Sequence, residues 1–187
     1  SSRPGNTSTT VTSVPGIRAH SLATRRPTTP PPTIAIRSAG PGAPSIASVD
    51  DLSGQDVYAR RDSSAWKAVE DLNQKLAVKG LPPVVLREVP GNLEDDDLLE
   101  MANAGIVPLV IAPDYLAEFW QKVFTNLTVH AAVAVRTGAT IAVPFRKNSP
   151  KLAAELNAFV ARNGLGTAFG NVIEKRYLVN TTFVKSA

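Results

Sequence analysis

Residues 92–105, NLEDDDLLEMANAG, run directly into 106–112, IVPLVIA, and Asp114 follows one proline later. The first stretch sets a capping residue, Asn92, ahead of four acidic residues, Glu94, Asp95, Asp96 and Asp97, suited to the positive end of a helix dipole. Leu98, Leu99 and Met101 or Ala102 then recur at helical spacing, and Gly105 provides a stop. Residues 107–112 are wholly apolar and of strand length, the pattern of a strand covered on both faces. Asp114 stands where a cap begins the next helix, which carries Leu116, Phe119, Trp120 and Val123. Helix, buried strand and helix in that order form the repeating unit of an α/β domain, whose working loops lie at the strand ends.

The alternation extends along most of the chain. Residues 33–37 and 57–60 read as short strands. Ser63 or Ser64 caps a helix whose apolar side is Ala65, Val69, Leu72 and Leu76, ending at Lys79 and Gly80. Residues 83–89 are strand-like, and 127–135 and 140–145 read as two strands about the turn Thr137-Gly138. Ser149 and Pro150 introduce a helix with Leu152, Leu156, Phe159 and Val160 turned inward, because proline suits the first helical turn. A last helical segment spans about 167–178.

The net charge of +4 on 187 residues belongs to the front of the chain. Residues 1–49 hold 5 arginines, no Lys, Asp or Glu, and 8 of the 15 prolines, leaving 15 basic against 16 acidic residues in the rest. The high isoelectric point is therefore no sign of nucleic-acid binding by the folded part, and no nucleic-acid partner is expected. The front stretch lacks aromatic residues and helical periodicity, so residues 1–32 read as a solvated, basic, flexible Ser/Thr/Pro-rich arm. The folded domain is placed at 33–187, with a lobe core at about 52–135 and a return segment at 139–178.

Zero cysteines exclude disulfides, thiol catalysis and cysteine-ligated metal. No stretch is long and apolar enough to cross a bilayer, and the start carries no signal-peptide pattern, so an export signal would lie outside this chain. Neither cofactor nor metal is expected. Glu94 to Asp97 radiate around a helix axis and cannot converge on an ion, so they read as a solvated first turn.

Several segments in one order carry a resemblance: 40–54 (GPGAPSIASVDDLSG), 57–64 (VYARRDSS), 93–105, 118–120 (EFW), 133–138 (VAVRTG), 146–150 (RKNSP), 169–171 (FGN) and 175–177 (KRY). Together they resemble the bacterial solute-binding domains related to periplasmic amino-acid-binding proteins, and among these the regulatory domain of membrane-bound lytic transglycosylase F. The resemblance covers the chain from about Thr33 onward. It implies a periplasmic-binding-protein-like α/β fold in which two lobes face each other across a cleft and are joined by crossing strands. The stretch at about 52–135 matches the second lobe and the flanking strands match the crossings, while most of the first lobe has no counterpart. The resemblance further implies a periplasmic or envelope location, a small polar ligand such as an amino acid or cell-wall peptide, and a second copy or partner supplying the missing lobe. In that family the transglycosylase activity resides in a separate later domain, so no peptidoglycan cleavage is expected here.

The candidate ligand-binding residues are Arg61, Ser63, Ser64 and Asp114. The turn 61–64 lies between a strand and a helix, where free N–H groups and the helix dipole suit a carboxylate or phosphate. In the resembled family the matching loop holds the α-carboxylate of an amino-acid-like ligand, while the same serines also suit an ordinary cap. Relatives in that family place a carboxylate after the buried strand to receive the ligand ammonium. Its position falls here on Pro113, with Asp114 next to it, and Asp114 suits a helix cap equally. Arg25 and Arg26 sit in surroundings that do not match the family's carboxylate-gripping arginine.

An enzymatic alternative rests on Ser64-Ala-Trp-Lys67, an S-x-x-K pattern in which a lysine stands beside a serine nucleophile, as in small esterase-like hydrolases. Arg136-Thr-Gly138 approximates the K-T-G element of such enzymes, but an S-D-N-like element is absent. A Ser-His-Asp triad has only His20 and His130 to draw on and no G-x-S-x-G elbow. The reading is a binding domain, with a serine hydrolase using Ser64 and Lys67 as its rival.

Overall fold

The computed structural model describes residues 34–39 as backbone and 45–138, 145–146, 148–182 and 184 in full. The expected strand at 140–145 lies outside these except for Phe145, and the arm at 1–32 lies outside them entirely. Two compact units result, one holding Pro32–Ala139 together with the residues from Leu178 on, and the other holding Thr140–Tyr177.

The first unit is a five-stranded sheet with helices on both faces. Its chain order is β1 (Ile34–Ala39), a 3₁₀ turn (Val49–Leu52), β2 (Asp56–Ala59), α1 (Ser64–Val78), β3 (Val85–Glu88), α2 (Asp95–Asn103), β4 (Leu109–Pro113), α3 (Asp114–Trp120) and β5 (Leu127–Arg136). The strands lie in the order β3-β2-β4-β1-β5. β2 pairs parallel with β3 and with β4, whereas β1 runs antiparallel to both β4 and β5, with register shifts around Ala35 against β5. This is the α/β architecture expected, with β1 and β5 as the antiparallel flank.

Strand pleating divides the core in two. From β4, Leu109 and Ile111 join Val57, Ala59, Val69, Leu72 and Leu76 beneath α1. Val110 and Ala112 point the other way, to Leu98, Leu99, Ala102 and Ala117 of α2 and α3. Four consecutive buried residues in β4 are thus the signature of a strand covered on both sides, as its unbroken apolar run predicts. Leu99, Val110 and Val69 are fully removed from solvent, each a burial worth about 1.5–3 kcal/mol.

The helix ends follow local chemistry. Ser63 caps α1 by accepting the Trp66 N–H at 3.1 Å. At the other end the Gly80 N–H bonds the Ala77 carbonyl and the Leu81 N–H the Leu76 carbonyl, with Gly80 at φ +70°, a left-handed position that glycine occupies without strain. Gly105 ends α2 in the same way.

Three expectations are corrected here. Asn92 does not cap α2: the cap is Glu94, whose backbone N–H is taken by the Asp97 carboxylate at 2.7 Å, so the helix starts two residues later than the asparagine suggested. Asp114 does not cap α3 either, for Pro113 holds that place and Asp114 is the first helical residue. Proline's fixed φ sets the entry geometry there without a side-chain bond.

The third correction concerns the second unit, which contains α4 (Pro150–Asn163) and α5 (Ala168–Glu174), the latter continuing into a π turn (Lys175–Val179). Pro150 occupies the first turn of α4 as expected, but α4 buries none of its residues, and Leu152 and Phe159 stand exposed rather than inward. Thr167 caps α5 through the Gly170 N–H at 3.1 Å.

Candidate functional site

Because β2 and β4 are parallel neighbours, paired at Tyr58 and Val110, their carboxyl ends open on one edge of the sheet. The turn from β2 to α1 and the junction of β4 with α3 meet that edge. In α/β sheets, ligands lie outside the carboxyl ends of the strands. All four sequence-derived candidates, Arg61, Ser63, Ser64 and Asp114, fall on these two connections.

Their individual placements differ. The Ser63 hydroxyl is committed to structure, donating to the Arg60 carbonyl at 2.7 Å while accepting the Trp66 N–H. The Arg60 carbonyl also takes the Ser63 N–H at 3.1 Å, which closes the turn. Ser64 is the first residue of α1 and is exposed, so the turn presents a helix N-terminus to solvent. Arg61 points outward, with its guanidinium 5.6 Å above the Trp66 ring and 3.2 Å from Glu88 at the end of β3. Asp114 is half-buried, and its Oδ1 accepts the Tyr115 N–H at 2.8 Å.

Arg60 is the residue that sequence reasoning passed over. Val57 and Ala59 of β2 are buried on the α1 side, so alternation turns Tyr58 and Arg60 toward α2 and α3. The Arg60 guanidinium lies 3.1 Å from Glu94 and 3.6 Å from Asp95, and its side chain is only 20 % exposed. Its Nε is buried without a hydrogen-bond partner. The period of the strand was the available signal, while the more exposed Arg61 drew attention as the residue nearer the serines.

The acidic first turn of α2 is accordingly more than a solvated face. Asp96 accepts the Trp120 indole N–H at 2.7 Å, and Trp120 stacks on Phe124. Burial pushes the Asp95 carboxyl above its ordinary range, an effect the neighbouring Arg60 opposes without cancelling. Burial likewise raises the Tyr115 phenol, reinforced by Asp95, Asp96 and Asp114. Tyr115 therefore keeps its proton and marks where these carboxylates draw near one another. Among the described residues, no group of three or more His, Cys, Asp or Glu side chains has metal-site geometry.

For the hydrolase alternative, Lys67 lies 3.1 Å from Asp71 and 3.4 Å from Glu70, one turn further along α1. Both carboxylates, Asp71 first, raise its pKa and hold it as an ammonium. A protonated lysine is a poor general base for a serine. His130 lies in the middle of β5, half-buried.

No family model matches the chain, and no curated protein matches it by sequence. Solved structures match by fold. A putative L-cystine ABC transporter protein from Listeria monocytogenes superposes with a TM-score of 0.60 at 13 % identity, over 82 % of this chain and 61 % of that one. An ancestral arginine-binding protein bound to arginine gives 0.59 at 16 % identity, over 81 % and 62 %. The GluR0 ligand-binding core in complex with L-glutamate gives 0.62 at 18 % identity, over 90 % and 69 %. The chain spans about three fifths of the length of the first two. These neighbours are amino-acid solute-binding proteins and a ligand-binding core, and the fold they share with this chain is the α/β, periplasmic-binding-protein-like one, of which this chain carries a part.

Proposed function

We propose that the chain is a solute-binding or ligand-sensing domain for a small, polar, amino-acid- or muropeptide-like ligand. The observation that carries this reading is the turn 60–64, which presents the N-terminus of a 15-residue helix at the carboxyl edge of the sheet. Such a terminus offers unpaired N–H groups and a favourable dipole to a carboxylate. Asp114, at the end of the adjacent parallel strand, supplies a carboxylate suited to an ammonium group. The names of the structural neighbours, which include arginine and glutamate complexes, support the ligand class.

Within this class, the ordered sequence resemblance favours a role like that of the regulatory domain of lytic transglycosylase F, biasing an attached or partner protein rather than cleaving peptidoglycan itself. A periplasmic or envelope location accompanies that role. No helix among the described residues is long and apolar enough to cross a membrane. A part-length cleft encloses less ligand surface, so binding is expected to be weak unless a second copy or partner completes it. The ion-paired Lys67 supports a binding role over serine catalysis.

A thermal-shift screen against amino acids and muropeptides tests the proposal, since a ligand that binds only the folded state raises its melting temperature. A selective rise that vanishes when Ser64 is replaced by proline, which removes the N–H at the first helical position, is the expected result. Absence of any response across the panel by a folded sample overturns it.

A further inference from the structure

Charge is divided between the sheet and the helical unit. Residues 50–138 hold 8 basic and 14 acidic residues, whereas 140–177 hold 6 basic and 2 acidic. Ion pairing follows the same division. Arg60, Arg61, Lys67, Lys79 and Arg87, all in the sheet unit, lie beside carboxylates. Lys151, Arg162, Lys175 and Arg176, on α4 and on α5 with its π turn, are exposed and pair with no carboxylate among the described residues. Apolar exposure is divided likewise: among the described residues, seven large apolar side chains stand in solvent within Thr140–Tyr177, against four in the much longer stretch 45–138.

These residues recur at helical spacing. On α4, Leu152 and Phe159 lie two turns apart on one side, with Arg162 a turn beyond Phe159. On α5, Phe169, Val172 and Ile173 share a side at i, i+3 and i+4. Tyr177 follows a turn later, with the Arg176 guanidinium 5.7 Å from its ring. Phe159, Phe169, Val172 and Tyr177 are each more than half exposed. Single apolar residues scattered over a surface are ordinary, but rows of them beside unpaired cations mark a surface that meets something.

Such rows suit an occupant that is apolar and anionic at once, and an anionic lipid surface is both. Its acyl boundary takes up Phe and Leu, its phosphates attract Lys and Arg, and the long basic stems let one side chain serve both layers. An acidic protein would have to set carboxylates at fixed points opposite four cations on flexible stems, whereas a fluid surface satisfies them without a fixed register. We propose that the α4–α5 unit docks on an anionic lipid surface, its apolar rows entering the headgroup boundary and Lys151, Arg162, Lys175 and Arg176 meeting the lipid phosphates. The proposal stands apart from the solute-binding reading, because it uses neither the turn 60–64 nor Asp114.

The test is flotation of the intact chain with vesicles of phosphatidylcholine, alone or with about a third phosphatidylglycerol. Wild type should bind the anionic vesicles at least about tenfold more tightly than the neutral ones, and lose about tenfold between about 0.02 M and about 0.3 M salt. Lys175→Gln/Arg176→Gln and Phe159→Ser/Phe169→Ser should each bind about tenfold more weakly than wild type. All four positions are exposed, so both variants should keep the wild-type circular dichroism and melting temperature. Should the phenylalanine pair disturb the fold, Val172→Ser repeats the apolar comparison at a single exposed position. Wild type that ignores anionic vesicles overturns the proposal, and self-association that Phe159→Ser/Phe169→Ser abolishes would then assign the face to a second copy of the chain. Vesicle binding that both variants retain in full also overturns it, because the attraction then comes from other cations, such as the arginines of residues 1–49. Binding that falls only in the charge variant overturns the entry of the apolar rows.

Discussion

The side-chain amide of Asn73 grips the backbone of Val84 at both ends, donating to its carbonyl at 3.0 Å and accepting its N–H at 2.7 Å. The pair ties the middle of α1 to the residue just before β3, where Val84 is buried. A segment leading onto the edge of a sheet has few other ways to satisfy its backbone, and Asn is the residue that imitates a strand partner with one side chain.

Asn73→Ala should therefore cost about 2–3 kcal/mol, from two lost hydrogen bonds and a buried N–H left unpaired. Urea denaturation measures it. Asn73→Asp should be no better, because a carboxylate can accept from the Val84 N–H but faces the Val84 carbonyl with a second acceptor. An unchanged midpoint in both variants would refute the account.

Trp120 and Asp96 connect α3 to the first turn of α2. Trp120→Phe keeps an aromatic ring to stack on Phe124 but deletes the 2.7 Å indole bond, and at this exposed position the loss should be about 1 kcal/mol. Asp96→Ala should cost a similar amount. The double variant should cost little more than either alone if the bond itself is the source, and a double-mutant cycle in denaturant reads that coupling.

Much of this was legible in the sequence because it depends on local pattern. The unbroken apolar run at 107–112 and the glycines at 80 and 105 each specify a local geometry almost by themselves, whereas the sequence left the cap of α1 open between Ser63 and Ser64 and the structure gives it to Ser63. What the sequence obscured depends on contacts between distant segments. Arg60 acquires its meaning from Glu94 and Asp95, 34 and 35 positions away. Asn92 looked like the better cap for α2, but the Asp97 carboxylate bonded the Glu94 backbone and moved the start. In α4, apolar spacing announced a buried side, yet spacing states only that such residues share a face and not that anything covers it.

The contrast between the two units is itself measurable. Leu99 is fully buried between α2 and the sheet, so Leu99→Ala should cost about 2–5 kcal/mol. Leu152→Ala, at a side chain 47 % exposed on α4, should change stability by no more than about 0.5 kcal/mol. Chemical denaturation of both variants checks the pair, and a large loss for Leu152→Ala would mean that its face is covered in solution.

Asp51 gives a pH dependence of known sign. Its Oδ2 accepts the N–H groups of Ala47 and Ser48, each at 2.8 Å, and these two bonds hold its pKa below the usual carboxylate value. A carboxyl depressed by folding stabilises the protein above its unfolded-state pKa, and that contribution disappears as pH falls through the lower folded value. Wild type should thus exceed Asp51→Asn in melting temperature at neutral pH, with the gap closing on acidification below about pH 4. A gap that stays constant down to acid would show that the charge on Asp51 plays no part.

The junction of α4 and α5 depends on a residue with no side chain. Gly170 lies against the backbone at the end of α4, so a Cβ built there would fall inside the contact shells of the Gly164 and Asn163 carbonyls. Those are main-chain atoms that no rotamer can move aside. The Gly170 N–H is also bound by the Thr167 hydroxyl, and that hydroxyl donates to the Gly164 carbonyl at 2.8 Å, so displacing Gly170 disturbs the cap of α5 as well. Gly170→Ala should separate the two helices and expose their junction, although alanine is the better helix former by about 1 kcal/mol when nothing obstructs it. Hydrogen exchange should accelerate across 164–174 while the buried amides of β4 keep their protection. The control is Gly91→Ala, where an added Cβ meets open space and no such change is expected. If Gly170→Ala leaves exchange at 164–174 untouched, the close approach of the two helices does not hold in solution.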